Sequence, residues 1–253
     1  MRALAIGWDV GGWLGKKQAV AVIAVETDGT WHHLGASAPF SLRGRTEFSV
    51  LDLVRTAWPE APEDALGGRD VVVAIDAPLS FPRAFVDLLA GAAGERPTSD
   101  EEIANGLAYR DCDRFIHGEH QKKPLSASFD KLGNNATVAM VLSRQWGAGV
   151  EPFVVLPSER LTHPRRELIE AYPALMKTRG VVVDHVRALL PSESRDVGDH
   201  LTQDQQDAAI CALVALAHLG IADRQLPSLV GPVAGQSADG WIYAPSRAWV
   251  EGR

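Results

Sequence analysis

At 253 residues with 46% hydrophobic content, the chain carries enough apolar material for one large domain, or one domain with an insertion. Its net charge is −7 and its basic residues form no long run, which counts against a large polyanionic partner held mainly by phosphate neutralisation. The apolar run Leu4 to Trp8 breaks at Asp9, too early for a signal peptide, and no later stretch reaches membrane-spanning length, so a cytoplasmic protein with no membrane partner is expected.

In chain order, "ALAIGWD" at 3–9 reads as a strand ending in aspartate, with Gly11 and Gly12 as the turn beyond it. "QAVAVIAVE" at 18–26 is a second strand, "DGT" at 28–30 a hairpin turn, and "WHHLGAS" a third strand, all antiparallel. Thr46 to Trp58 has helical spacing, with Thr46 as N-cap. "DVVVAID" at 70–76 is a buried strand that follows this crossover helix and is therefore expected parallel to the first. From Pro82 to about Gly149 the pattern is helical and irregular, which suggests a helical insertion. A strand-like run at 167–175, a short helix in "DHVRALLP" and a closing edge strand in "GWIYAP" follow. The helix beginning near Thr202, "QDQQDAAICALVALAH", repeats Asp207, Cys211, Val214 and His218 at helical intervals among small alanines. Cys112 and Cys211 have neither ligand spacing nor a disulfide framework and read as reduced, buried thiols.

Acids stand at the ends of these elements: Asp9, Asp76, Glu170, and Asp204 with Asp207. In an open α/β sheet the reactive crevice lies beyond the carboxyl ends of the parallel strands, and a helix folded on that edge brings its aspartates there. Clustered carboxylates need a counter-charge, and oxygen ligands suit Mg²⁺ or Mn²⁺, ions able to support phosphodiester cleavage.

Six strings, "IGWDVGG", "VVVAIDAPLSFP", "YRDCDR", "IEAYPAL", "DQQDAAICALVAL" and "GWIYAP", resemble in this order the domain-of-unknown-function family 429, described as predicted nucleases of RNase H fold. The resemblance implies a single RNase H-like domain over 1–253: a mixed five-stranded sheet, its first three strands antiparallel, flanked by helices, with an insertion at about 82–149. It also implies a metal-dependent nuclease or hydrolase in which Asp9, Asp76 and Asp207 are metal ligands and Asp204 is a fourth acid. Glu170 is either a further ligand or the partner of an arginine. Arg110 and Arg114 are candidates for binding substrate phosphate, their fork geometry matching its oxygens.

Each residue also admits an ordinary reading. Asp9 and Asp76 could be strand-exit turn residues, Asp204 a helix cap, and Arg110 and Arg114 members of local ion pairs. Two other functions compete. "DVGG" at 9–12 resembles the phosphate-binding turn of actin and sugar-kinase phosphotransferases, although a second such turn is missing. A non-catalytic binding protein on the same fold is the other.

Overall fold

The structure is a computed structural model that describes residues 1–15, 17–94, 96–130, 132–160, 162–177, 202–221, 223 and 226–252. The expected short helix in "DHVRALLP" lies outside the described residues.

A mixed sheet of six strands forms the centre: β1 (Ala3–Asp9), β2 (Ala19–Val25), β3 (Trp31–Ala36), β4 (Asp70–Asp76), β5 (Val154–Val155) and β6 (Arg166–Glu170), in the order β3-β2-β1-β4-β6-β5. The first three strands are antiparallel neighbours, and β4 is parallel to β1, as expected. β6 is parallel to β4, and β5 to β6. Five strands were expected. The extra one, β5, is only two residues long, too short to leave an alternating pattern in the sequence. The run at 167–175 divides into β6 and a 3₁₀ turn at Pro173–Leu175, where proline removes a ladder donor. "GWIYAP" forms no edge strand; it contributes two isolated bridges, a parallel one from Ile242 to Glu170 at the end of β6 and an antiparallel one from Pro245 to Leu229.

The two faces of the sheet differ in kind. Leu4, Ile6, Trp8, Val71, Val73, Ile75 and Leu168 point to one side, where they bury against α1 (Val50–Ala57) and α4 (Gly133–Gly147). Such side chains contribute roughly 1.5–3 kcal/mol each when removed from water. The alternate residues bury against α5 (Gln203–His218), and those nearest β1 are mostly small: Ala3, Ala5, Ala19, Ala21 and Ala74, with larger Ile23, Val25, Val72 and Ile169 around them. Gly7 falls on this small face: a Cβ there would lie 1.9 Å from the Ala208 carbonyl oxygen and 2.2 Å from the Ala212 amide. Helix and strand therefore meet backbone to backbone.

Caps fix where two helices begin. α1 starts at Ser49, not Thr46: Ser49 Oγ accepts from the Asp52 amide while Asp52 accepts from the Ser49 amide, a reciprocal box that Thr46 cannot form with Ser49 three places on. α5 starts at Thr202, paired in the same way with Gln205, so Asp204 is not its cap. Between β4 and β5 lie α2 (Arg83–Leu89), α3 (Asp111–His120) and α4, in the region expected to hold a helical insertion. The short helix α6 (Arg247–Glu251) follows near the end. No helix among the described residues is long and apolar enough to cross a membrane.

Candidate metal centre

Asp9 and Asp76 are cross-strand partners at the last positions of β1 and β4. Side chains alternate along a strand, so Asp9 follows Ala3, Ala5 and Gly7 onto the α5 face, and Asp76 follows Val72 and Ala74. Asp207 lies near the start of α5, one turn before Cys211, on the stripe that faces the sheet. Because Gly7 lets α5 approach so closely, three short side chains suffice to meet. One carboxylate oxygen from each of Asp9, Asp76 and Asp207 lies within 4.8 Å of the others.

Electrostatics marks the cluster as short of positive charge. Burial, then the charges of Asp76, Asp207 and Asp204, push the Asp9 carboxyl up to about 9. Burial and the neighbouring Asp207 push Asp76 up to about 7. Asp207 is also raised by burial, although Lys177 opposes the shift. The Lys177 ammonium lies 2.7 Å and 2.8 Å from the two Asp207 oxygens. Cys211 lies below them, fully buried, and burial together with the acids pushes its thiol well above its ordinary value. It is a neutral wall of the site. Asp204 stays outside the coordinating trio and contributes negative charge at a distance.

A second charged cluster adjoins the first. The Arg110 guanidinium is fully buried and donates to both oxygens of Glu170, at 2.7 and 2.6 Å, and to both oxygens of Asp113, at 3.0 and 2.8 Å. A longer bond reaches Ser80 Oγ at 3.3 Å. Burial works against the guanidinium charge, but Glu170 and Asp113 outweigh it and hold the group ionised, above its ordinary range. All of the guanidinium's N–H donors thus have partners inside the protein. The expectation that Arg110 binds substrate is corrected: no donor is left for a phosphate. Glu170 takes the second of its two sequence readings, as the partner of an arginine, and also accepts from the Leu79 amide at 3.0 Å, which ties down the loop leaving Asp76. Arg114 is likewise engaged locally, donating to the Tyr109 carbonyl at 2.7 Å and to Asp111.

The "DVGG" turn is filled from within. Gln18, fully buried, accepts from the Trp8 indole and the Gly11 amide and donates to the Gly12 carbonyl. Gly12 has φ of +82°, and a Cβ there would meet the Asn134 side chain at 2.3 Å. The Trp13 amide donates to Asn134 as well. Gly12 serves packing against α4, a Cβ on Gly11 would meet Lys17, and the Gly11 and Trp13 amides are engaged within the protein, which counts against a phosphate held in this turn.

Lys177 and Gln18 escape a sequence reading. Neither sits in a pattern: Lys177 follows the 3₁₀ turn by two places, and Gln18 looks like an ordinary first residue of a strand. The buried thiols Cys112 and Cys211 are as expected, both unpaired. No family model, no curated protein and no solved structure matches the chain.

Proposed function

We propose that the chain is a metal-dependent phosphodiester hydrolase, a nuclease in the broad sense, of RNase H-like fold, acting on nucleic acid or on a small nucleotide-like substrate. The observation that carries this reading is the meeting of Asp9, Asp76 and Asp207 within 4.8 Å, from elements 67 and 131 positions apart (76 − 9 and 207 − 76). Two strand-exit turns and a helix cap would have no reason to converge. The strand order, with three antiparallel strands and then β4 parallel to β1, supports the RNase H-like part of the reading.

The donor set fits Mg²⁺ or Mn²⁺: it offers carboxylate oxygens alone, with the nearby Cys211 thiol kept protonated and out of contention. When bound, such an ion supplies Lewis acidity at a phosphoryl oxygen and a coordinated water of lowered pKa. Asp9, Asp76 and Asp207 would hold it. Asp204 adds negative charge at the rim, and Arg110 with Glu170 fixes the loop beyond Asp76. The acidic surface, at −7 overall, favours a small substrate over a long polyanion. Two unpaired buried thiols suit a reducing compartment such as the cytoplasm.

The test is hydrolysis of bis(4-nitrophenyl) phosphate and of short oligonucleotides with Mn²⁺, Mg²⁺ or chelator. Activity should require the ion and fall by at least about 100-fold, some 2.7 kcal/mol, in Asp9→Asn and Asp76→Asn. Hydrolysis that survives both replacements would sink the assignment.

A further inference from the structure

The acid cluster already contains a cation. Lys177 Nζ donates to Asp207 Oδ2 at 2.8 Å and lies 2.7 Å from Oδ1, the oxygens through which that residue would grip a divalent ion. Both cannot hold Asp207 in this way at once. Close carboxylates repel one another, and in the ion-free protein the Lys177 ammonium is the positive charge set against Asp207.

Its backbone is anchored, and its charged head stands at the end of a long stem. Leu175 and Met176, immediately before it, are buried in the core around α5, and the Met176 amide donates to the Pro173 carbonyl at 2.9 Å. Lys122 steadies the same turn by donating to the Ala174 carbonyl at 2.9 Å. The Lys177 side chain itself is 32% exposed, on a flexible four-carbon stem. Any displacement from Asp207 therefore moves the ammonium by side-chain rotation alone, across the mouth of the cluster. An anionic substrate approaching three carboxylates is attracted by a cation on the protein beside the bound ion. Arg110 and Arg114, the arginines the sequence offers for that purpose, are held by internal partners.

We propose that Lys177 is a tethered cation with two successive partners: Asp207 while no divalent ion is held, and a phosphate oxygen of the substrate once an ion has taken over Asp207. The inference rests on the metal-dependent reading above and adds a substrate-contacting residue to it. Mn²⁺ affinity, measured by calorimetric titration of wild type, Lys177→Met and Lys177→Arg, is the first readout. The second is binding of dimethyl phosphate, followed by phosphorus NMR at saturating Mg²⁺, with thermal melts confirming that each variant is folded.

Removing the competing charge should tighten Mn²⁺ binding by about ten-fold in Lys177→Met and weaken dimethyl phosphate binding by a similar factor, with Lys177→Arg near wild type in both. Unchanged or weaker Mn²⁺ binding in folded Lys177→Met overturns the competition, and unchanged dimethyl phosphate binding overturns the substrate contact. Should Lys177→Met not fold, Lys177→Gln answers both questions with a polar side chain of similar reach. A wild type that takes up no Mn²⁺ overturns the metal centre itself, a different failure from wild-type uptake that the Lys177 variants leave untouched.

Discussion

A buried and a partly buried charged cluster lie side by side at the carboxyl ends of β4 and β6, and they are built on opposite principles. Around Arg110, two carboxylates share one guanidinium that satisfies both by paired hydrogen bonds. Around Asp9, three carboxylates share, among the described residues, a single ammonium, which contacts Asp207 and is partly exposed. Removing charges from water is expensive, and geometry of the first kind offsets most of that expense. The second kind leaves a deficit that an added cation can relieve. The contrast separates acids whose charge is answered inside the protein from acids whose charge is not.

The largest effect should come from breaking the compensated cluster. Arg110→Met leaves Glu170 and Asp113 buried without a partner and should destabilise the protein by about 3–5 kcal/mol in urea unfolding. Arg110→Lys should recover only part of this, since an ammonium cannot serve both forks. A loss below about 1 kcal/mol in Arg110→Met would mean that water replaces the guanidinium and that the two clusters are less different than the geometry says.

pH should separate the clusters next. Asp9 and Asp76 in the folded protein hold protons that the unfolded chain releases above about 4, because their carboxyls are raised to about 9 and about 7. Their favourable contribution is complete below the unfolded value and is lost as pH climbs through 7 and then 9. Ion-free protein should therefore melt at a lower temperature at pH 9 than at pH 5, and saturating Mg²⁺ should flatten the slope. Glu167 has the opposite sign: burial opposes its charge, but hydrogen bonds with His218 and Arg165 hold it down at about 2. Its contribution is present above its unfolded value and disappears only as pH falls through 2, outside the window measured. A flat ion-free profile between pH 5 and 9 would refute the deficit.

Neutralising one uncompensated acid should raise stability. Asp9→Asn is the better choice than Asp207→Asn, since Asp207 carries Lys177 and its loss strands a cation. Ion-free Asp9→Asn should gain on the order of 2 kcal/mol at pH 8 while its melting temperature responds far less to Mn²⁺ than wild type. The smallest effect expected is that of Thr202→Ala, about 1 kcal/mol, with or without metal. This replacement removes a cap from the helix that bears Asp207 without touching a carboxylate.

The sequence makes the uncompensated cluster easier to read than the compensated one. Asp9 and Asp76 close apolar runs, and Asp207 sits on an apolar helical stripe, so each violates a burial pattern at a place that pattern defines. Asp113 and Glu170 lie 3 and 60 positions from Arg110. Nothing local distinguishes an arginine whose partner is Glu170 from one awaiting a phosphate. Lys177 is placed by Leu175 and Met176 entering the core, a tertiary event without a periodic signature. The same holds for β5, whose two residues pair only because β6 lies alongside, and for the start of α1, where Ser49 prevails over Thr46 through a side-chain exchange with Asp52.

The missing methyl group at Gly7 sets the gauge of the whole apparatus. Where Gly7 meets Ala208 and Ala212 no side chain separates strand from helix, so at that point the distance that carries Asp207 toward the strand aspartates is set by backbone thickness. Gly7→Ala would jack the helix away from the strand at its closest contact and widen the gap between the acids without altering any of them. Lengthening Asp207 to glutamate would err the other way, adding a methylene to a space that cannot dilate. The aperture, and with it the size of guest that three aspartates can grip together, is written into a residue with no side chain at all.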